Sequence, residues 1–272
     1  MTRATKISGF IFFFMMIGKP LFSQCVQNEL SFRQGEKITY EIAYNWGFIW
    51  INAGEVYFKT DTTIINGKTY FYFDSFGKSY KFYDWFFKVK DRYQSVVDPV
   101  TFHPLWFKRN TYEGGFQVNN RYDFDFDKGR VISSVEHSDK PLTVDTLNLD
   151  SCIFDVLSAV YYARNIDFSK YKPGDKIPID FIIDGEFYEL YIRYLGKETI
   201  KNRDGKQYNC IKFSAMLVEG TLFKGGEDLY VWVSNDENKI PVFVEAKILI
   251  GSVKAYLTGY EGLKYKLNSL HD

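Results

Sequence analysis

Apolar and polar residues alternate with a period of two along most of this chain. "KITYEIAYNW" places Ile38, Tyr40, Ile42, Tyr44 and Trp46 on one face, the pattern of a strand with one buried and one solvated side. "EVYFKT", "KTYFYFDSF", "FQVNNRYDFDF" and "RVISSVEH" continue it. So do "KIPIDFII", "EFYELYIRYLGKE", "QYNCIKFSAML", "EDLYVWVS", "PVFVEAKILI" and "SVKAYLTGYEGLKYKL". Asn66-Gly67 and Asp204-Gly205 are hairpin dipeptides, because these residues accept left-handed backbone at little cost. One stretch breaks the period. "LDSCIFDVLSAVYYARN" spaces Ile153, Val156, Leu157, Val160, Tyr161 and Arg164 by threes and fours. It predicts a helix near 150–164, capped by Asp150 or Ser151. "SYKFYDWFFK" predicts a weaker second helix with Tyr80, Tyr83 and Phe87 on one face.

The pattern also repeats. "GEK" at Gly35 returns as "GDK" at Gly174, 139 positions on, and Gly67 of "NGKTY" returns as Gly205 of "DGKQY", 138 positions on. Asp98 and Asp236 are 138 apart, and Pro104 and Pro241 are 137 apart. Two related β halves follow, about 35–137 and 174–265, joined by the helix. Neither closes a sheet easily alone. Together they predict one strongly curved antiparallel sheet, a half-barrel or barrel, with the helix crossing one opening, since curvature limits exposed edges.

Composition adds compartment and excludes one partner class. The chain opens "MTRATKISGFIFFFMMIGKPLFSQC", with Arg3 and Lys6, an apolar run from Gly9 to Ile17, and Ser23. That is the build of a secretory signal over residues 1–24, and the run is short of the about 20 residues of a membrane span. The expected cut follows Gln24. Acylation of Cys25 is the alternative, although Gln24 departs from the small residue such processing prefers. Removing residues 1–24 takes Arg3, Lys6 and Lys19 from the 34 basic residues and none of the 34 acids, leaving a net charge of −3. No basic stripe for a nucleic acid remains. An exported protein in the periplasm or cell envelope follows, with one β-rich domain over 25–272. Aromatic residues make up 19% of the chain, more than strand packing alone calls for.

Searches for chemistry return little. The three histidines are His103, His137 and His271, and there is no HExxH, CxxC, nucleophile elbow, P-loop or dinucleotide fingerprint, so no cofactor, metal site or catalytic residue is expected. "NDEN" at 235–238 and "DFDFDKG" at 123–129 lack a full calcium-loop pattern. Of Cys25, Cys152 and Cys210, the last two read as buried unpaired thiols. "VDPVTFHPLWFKRN" gathers Asp98, His103, Trp106, Lys108 and Arg109, yet alignment with "SNDENKIPVFVEA" turns Asp98 and Pro104 into a turn and strand entry used twice. His103, Trp106, Lys108 and Arg109 belong to the first copy alone. Alternation puts Lys108 on the side of Trp106 and Arg109 on that of Phe107.

"GEKITYEIAYNWGFIWINAGEV", "VKDRYQSVVDPVTFHPLWFKR", "DVLSAVYYARN" and "GGEDLYVWVSNDENKIPVFVEAKILIGSVKAYL" resemble the bacterial envelope family catalogued as domain of unknown function three-one-zero-eight, from about Gly35 to Leu267. That family supplies no catalytic residues. More distantly the chain is similar to the lipoprotein-localisation and anti-sigma-regulator proteins of LolA, LolB and RseB type. This implies an open half-barrel closed by helices around an apolar cavity for acyl chains.

The expectation is a non-enzymatic envelope protein binding a lipid or lipoprotein acyl chain on a concave aromatic face, with peripheral contact to envelope membranes. Tyr44, Trp46, Trp50, Tyr83, Trp85, Phe86, His103, Trp106, Lys108 and Arg109 are the candidate ligand residues. A ligand-free structural or protein-interaction module is the alternative, and a glycan-acting enzyme using Asp98 or Asp123 is a third reading.

Overall fold

The computed structural model describes residues 29–46, 48–149, 152–218, 225–248 and 251–271. Residues 1–24, read above as a secretory signal, and Cys25, Asp150 and Ser151 lie outside the described residues. The first half forms β1 (Lys37–Trp46), β2 (Ile49–Ile65), β3 (Lys68–Ser79), β4 (Lys90–Val97), β5 (Pro104–Glu113), β6 (Phe116–Asp125), β7 (Arg130–His137) and β8 (Lys140–Asn148). A two-residue strand β9 (Phe154–Asp155) leads into helix α1 (Val156–Ala163). The second half forms β10 (Lys176–Ile183), β11 (Glu186–Lys201), β12 (Gln207–Leu217), β13 (Gly226–Ser234), β14 (Pro241–Lys247) and β15 (Ser252–Glu261), followed by the short β16 (Leu270–His271).

All sixteen strands join one sheet, ordered β8-β7-β6-β5-β4-β3-β2-β1-β15-β14-β13-β12-β11-β10-β9, with β16 beside β12. Every pairing is antiparallel except β9 with β10. The repeat is visible in this order. β1 to β6 form a six-stranded meander, β10 to β15 form another, and they meet where the first strand of one pairs with the last of the other. β7, β8 and β9 extend the free ends, and the sheet does not close. Instead it curls until the β10–β11 turn reaches the first half. There Asp184 accepts from Arg109 at 3.1 Å and Asn120 at 2.8 Å.

Local chemistry explains the turns. Asn66 and Gly67 have φ of 51° and 77°, a tight two-residue reversal, and Asp184 and Gly185 repeat it at 49° and 82°. The Asp204-Gly205 turn is longer than its dipeptide predicts, with Asn202 and Lys206 bonded across it at 3.0 Å. Asp98 and Asp236 do perform the same task in each half. Asp98 Oδ1 accepts from the Val100 N–H at 2.8 Å, and Asp236 Oδ1 accepts from the Asn238 N–H at 3.0 Å. In both copies the residue two positions before the strand, Phe102 or Lys239, takes a positive φ.

Two predictions change, and one strand is new. The helix begins only at Val156, and its cap is Asp155, whose carboxylate accepts from the N–H groups of Leu157 and Ser158 at 2.9 and 2.8 Å. Residues 80–87 form a single 3-10 turn at Lys81–Tyr83 rather than a helix. β8 is an added edge strand, exposed over nearly its whole length. With neither face buried it has no alternation to read, and Pro141 is tolerated there because an edge strand leaves one side unpaired.

The helix packs into the concave face. Tyr161 stacks on Phe73 with centroids 3.8 Å apart, and Phe32 meets Tyr161 edge-on at 5.0 Å. Arg164, next to the helix end, is buried. It donates from Nη1 and Nη2 to Glu36 at 2.5 and 3.0 Å and from Nη2 to the Asn238 carbonyl at 2.9 Å. That ion pair ties the helix to the start of one half and a turn of the other. Cys210 is a buried free thiol, whereas Cys152 is disulfide-bonded, which corrects the expectation of two unpaired thiols.

Candidate functional site

One end of the concave face is left unfilled, and the sequence of β3 shows why. Its inward face runs Phe71, Phe73, Ser75, Gly77, Ser79. The two Phe side chains fill the core under the helix, with Phe73 fully buried. The three small residues beyond them leave a cavity of about 900 Å³. Its other walls are Ile42, Tyr44, Ile51, Val56 and Phe58 of β1 and β2, Val253 of β15, and Val156, Leu157 and Val160 of α1. Tyr83, Phe86 and Phe87 of the β3–β4 connection complete them.

That connection is anchored at both ends. The Tyr80 N–H donates to Ala53 O at 2.9 Å, beside the irregularity where β1 skips a residue of β2. Phe87 lies over Gly114, where an added Cβ would fall 2.3 Å from the ring and φ is +59°. Glycine is required there on both counts. Between these anchors the Phe86 and Phe87 N–H groups both donate to Tyr83 O at 2.9 Å, holding the rings over the opening.

The polar part of the cavity consists chiefly of Asp91, Glu113 and Tyr93, with Glu55 and Lys78 paired at 3.0 Å on its rim. Burial raises the Asp91 carboxyl to about 7, reinforced by the nearby Glu113 charge and opposed by the Tyr112 N–H that Asp91 accepts at 3.2 Å. Burial also raises Glu113, with Arg109 opposing, and holds the Tyr93 hydroxyl at about 12. At neutral pH the floor therefore carries less charge than its composition indicates.

Of the candidate residues, Tyr44, Tyr83 and Phe86 line the cavity. Trp85 stands exposed beside it, whereas Trp50 lies on the convex side, because its neighbour Ile51 faces the cavity and the Lys254 ammonium lies 4.8 Å from the Trp50 ring; this corrects the expectation that Trp50 lines the concave face. The Trp46 side chain lies outside the described residues. The first-copy cluster is dispersed. His103 sits at the other end of the sheet, stacked on Phe126 at 3.9 Å, where burial lowers its pKa. Trp106 and Lys108 face the convex side. Trp106 lies 6.2 Å from Tyr72 with the Arg121 guanidinium over its ring, and Lys108 is exposed. Arg109 points inward over Tyr93 and pairs with Asp184. Alternation paired Trp106 with Lys108 and Phe107 with Arg109 correctly, but the expectation that Trp106 lines the concave face is corrected, since the inward side chain of that pair of positions is the buried Phe107.

The carboxylates read as glycan or calcium candidates have structural partners. Asp98 binds Lys68 at 2.5 Å, Asp123 binds Arg121 at 2.6 Å, and Asp125 binds Lys128 at 3.1 Å. Among the described residues no three His, Cys, Asp or Glu side chains gather as a metal site. Sequence reading missed Asp91, Glu113 and the small-residue face of β3. The signal available was the change from Phe to Ser and Gly along one face.

A family profile, "Protein of unknown function (DUF3108)", matches residues 39–258, which covers both meanders and the helix. The chain belongs to this family. Among solved structures, this chain and a beta-barrel-like protein of domain of unknown function DUF1849 from Brucella abortus superpose with a TM-score of 0.53 at 8% identity, over 86% of this chain and 100% of that one. This likeness is one of fold. Among curated proteins there is no match.

Proposed function

We propose that the chain is a non-catalytic, exported binder or carrier of an apolar or amphipathic ligand, of the lipid or acyl-chain class, held in the cavity between the sheet, the aromatic connection and α1. The observation that carries this reading is the cavity itself: about 900 Å³ with mainly apolar walls, its charged side chains being Asp91, Glu113 and the paired Glu55 and Lys78, within the size range of small-molecule sites. A sheet that served only as a packed scaffold would fill this end as it fills the other, since interiors are close-packed. Export has separate support in the disulfide at Cys152, because such bonds persist in oxidising compartments.

Native mass spectrometry of protein purified without detergent is expected to show a co-purifying lipid. After delipidation, titration with a fatty acid or phospholipid is expected to change tryptophan emission saturably, since Trp85 stands beside the cavity-lining Phe86. No adduct and no saturable response would leave the packing-module reading in its place.

A further inference from the structure

The surface around the cavity mouth carries more exposed aromatic area than a soluble face needs. Phe48 at the β1–β2 tip is fully exposed, and Phe82, Trp85 and Phe86 are each more than three-quarters exposed. They belong to one end of the sheet, because Gly54 of β2 pairs with Ser79 just before the aromatic connection. Contiguous apolar exposure of this kind marks an interaction surface.

Charge identifies the partner. Residues 78–90 hold Lys78, Lys81, Lys88 and Lys90 against the single acid Asp84, in a chain whose charges otherwise balance. Lys78 is paired with Glu55, and Asp84 accepts from the Ser79 hydroxyl at 2.6 Å. Lys81, Lys88 and Lys90 are exposed and form no ion pair among the described residues. Aromatic rings flanked by free lysines suit the headgroup region of an anionic bilayer, where rings enter the acyl boundary and ammonium groups meet lipid phosphates.

We infer that this end of the molecule docks on the surface of an anionic lipid bilayer, with Phe48, Phe82 and Trp85 inserted and Lys81, Lys88 and Lys90 on the headgroups. The inference rests on the cavity reading for its purpose. Docking places the mouth against the membrane, so an acyl chain passes between bilayer and cavity without crossing water. No helix among the described residues is long and apolar enough to span a membrane; the contact inferred is peripheral.

The test is co-sedimentation with vesicles of phosphatidylcholine containing phosphatidylglycerol, compared with phosphatidylcholine alone. The expected result is binding that requires the anionic lipid and weakens with salt. It should fall about tenfold in Phe82→Ser/Trp85→Ser, and similarly in Lys81→Gln/Lys88→Gln/Lys90→Gln. The substituted side chains are exposed, and circular dichroism checks that the fold is kept. No vesicle binding by the native protein, or binding undiminished in both variants, overturns the inference. So does a dimer in sedimentation equilibrium that the aromatic variant abolishes, since a second copy would then be the partner. Saturable binding of a soluble fluorescent fatty acid, measured without vesicles, separates the two readings. If it persists while vesicle binding fails, the cavity stands and the docking surface falls. If it is absent, the cavity reading falls.

Discussion

Asp91 shows how position in the fold rewrites a residue's chemistry. In the unfolded chain its carboxyl releases its proton near the ordinary value of 3.8, but in the cavity burial and Glu113 hold it to about 7. Between these values the native state keeps a proton that the unfolded state gives up. The stability contribution is therefore complete at low pH and is lost as pH rises through about 7. Asp91→Asn is expected to raise stability at pH 8 by on the order of 1–2 kcal/mol, a value discounted for partial exposure. Little difference is expected at pH 4. Denaturant melts at the two pH values measure this, and equal gains at both would show that Asp91 ionises freely in the folded state. Asp155 follows the same rule with a different purpose. It is fully buried and raised by burial to about 6, yet it caps α1 and accepts from the Ser95 hydroxyl at 2.6 Å.

At the scale of elements, β3 divides the interior into a filled and an unfilled part. Gly77 is the central small residue, and a Cβ added there meets only Val56 side-chain atoms at 3.5 and 3.6 Å and a backbone oxygen at 3.8 Å. That is ordinary contact, so Gly77→Leu keeps the strand and places its side chain in the cavity. Overpacking a fitted site costs about 1–3 kcal/mol, so fatty-acid affinity is expected to fall about tenfold or more while the melting temperature holds or rises. Unchanged affinity in the titration would place the ligand elsewhere. The helix teaches the complementary lesson. Its three-and-four spacing was legible, but its start was not, because "LDSC" and "FDVL" both offer an acidic residue before apolar positions. The choice of Asp155 depends on Ser95 of β4, sixty positions away.

For the whole molecule, the two meanders meet at β1 and β15 and leave opposite edges free. The second half curls over the first until Asp184 joins Arg109 and Asn120. Cys152, just ahead of α1, is disulfide-bonded. Peptide mapping without reduction is expected to find Cys152 in a disulfide and Cys210 as a thiol that reacts only after unfolding, since burial raises Cys210 to about 12. A Cys152–Cys210 peptide would contradict the fold. Local sequence pattern was enough for most of the strands, the hairpin at Asn66-Gly67, the repeat, and the separation of Trp106 and Lys108 from Phe107 and Arg109 onto opposite faces. These follow from local backbone preference and from a period of two that any half-buried strand must keep. Only the tertiary structure decided which inward faces meet each other and which meet a void. Alternation marks a face as inward but does not say how far the opposite wall stands. That distance comes from how the sheet curls, so the cavity, its carboxyls of raised pKa and its exposed aromatic rim appear only once the chain has folded.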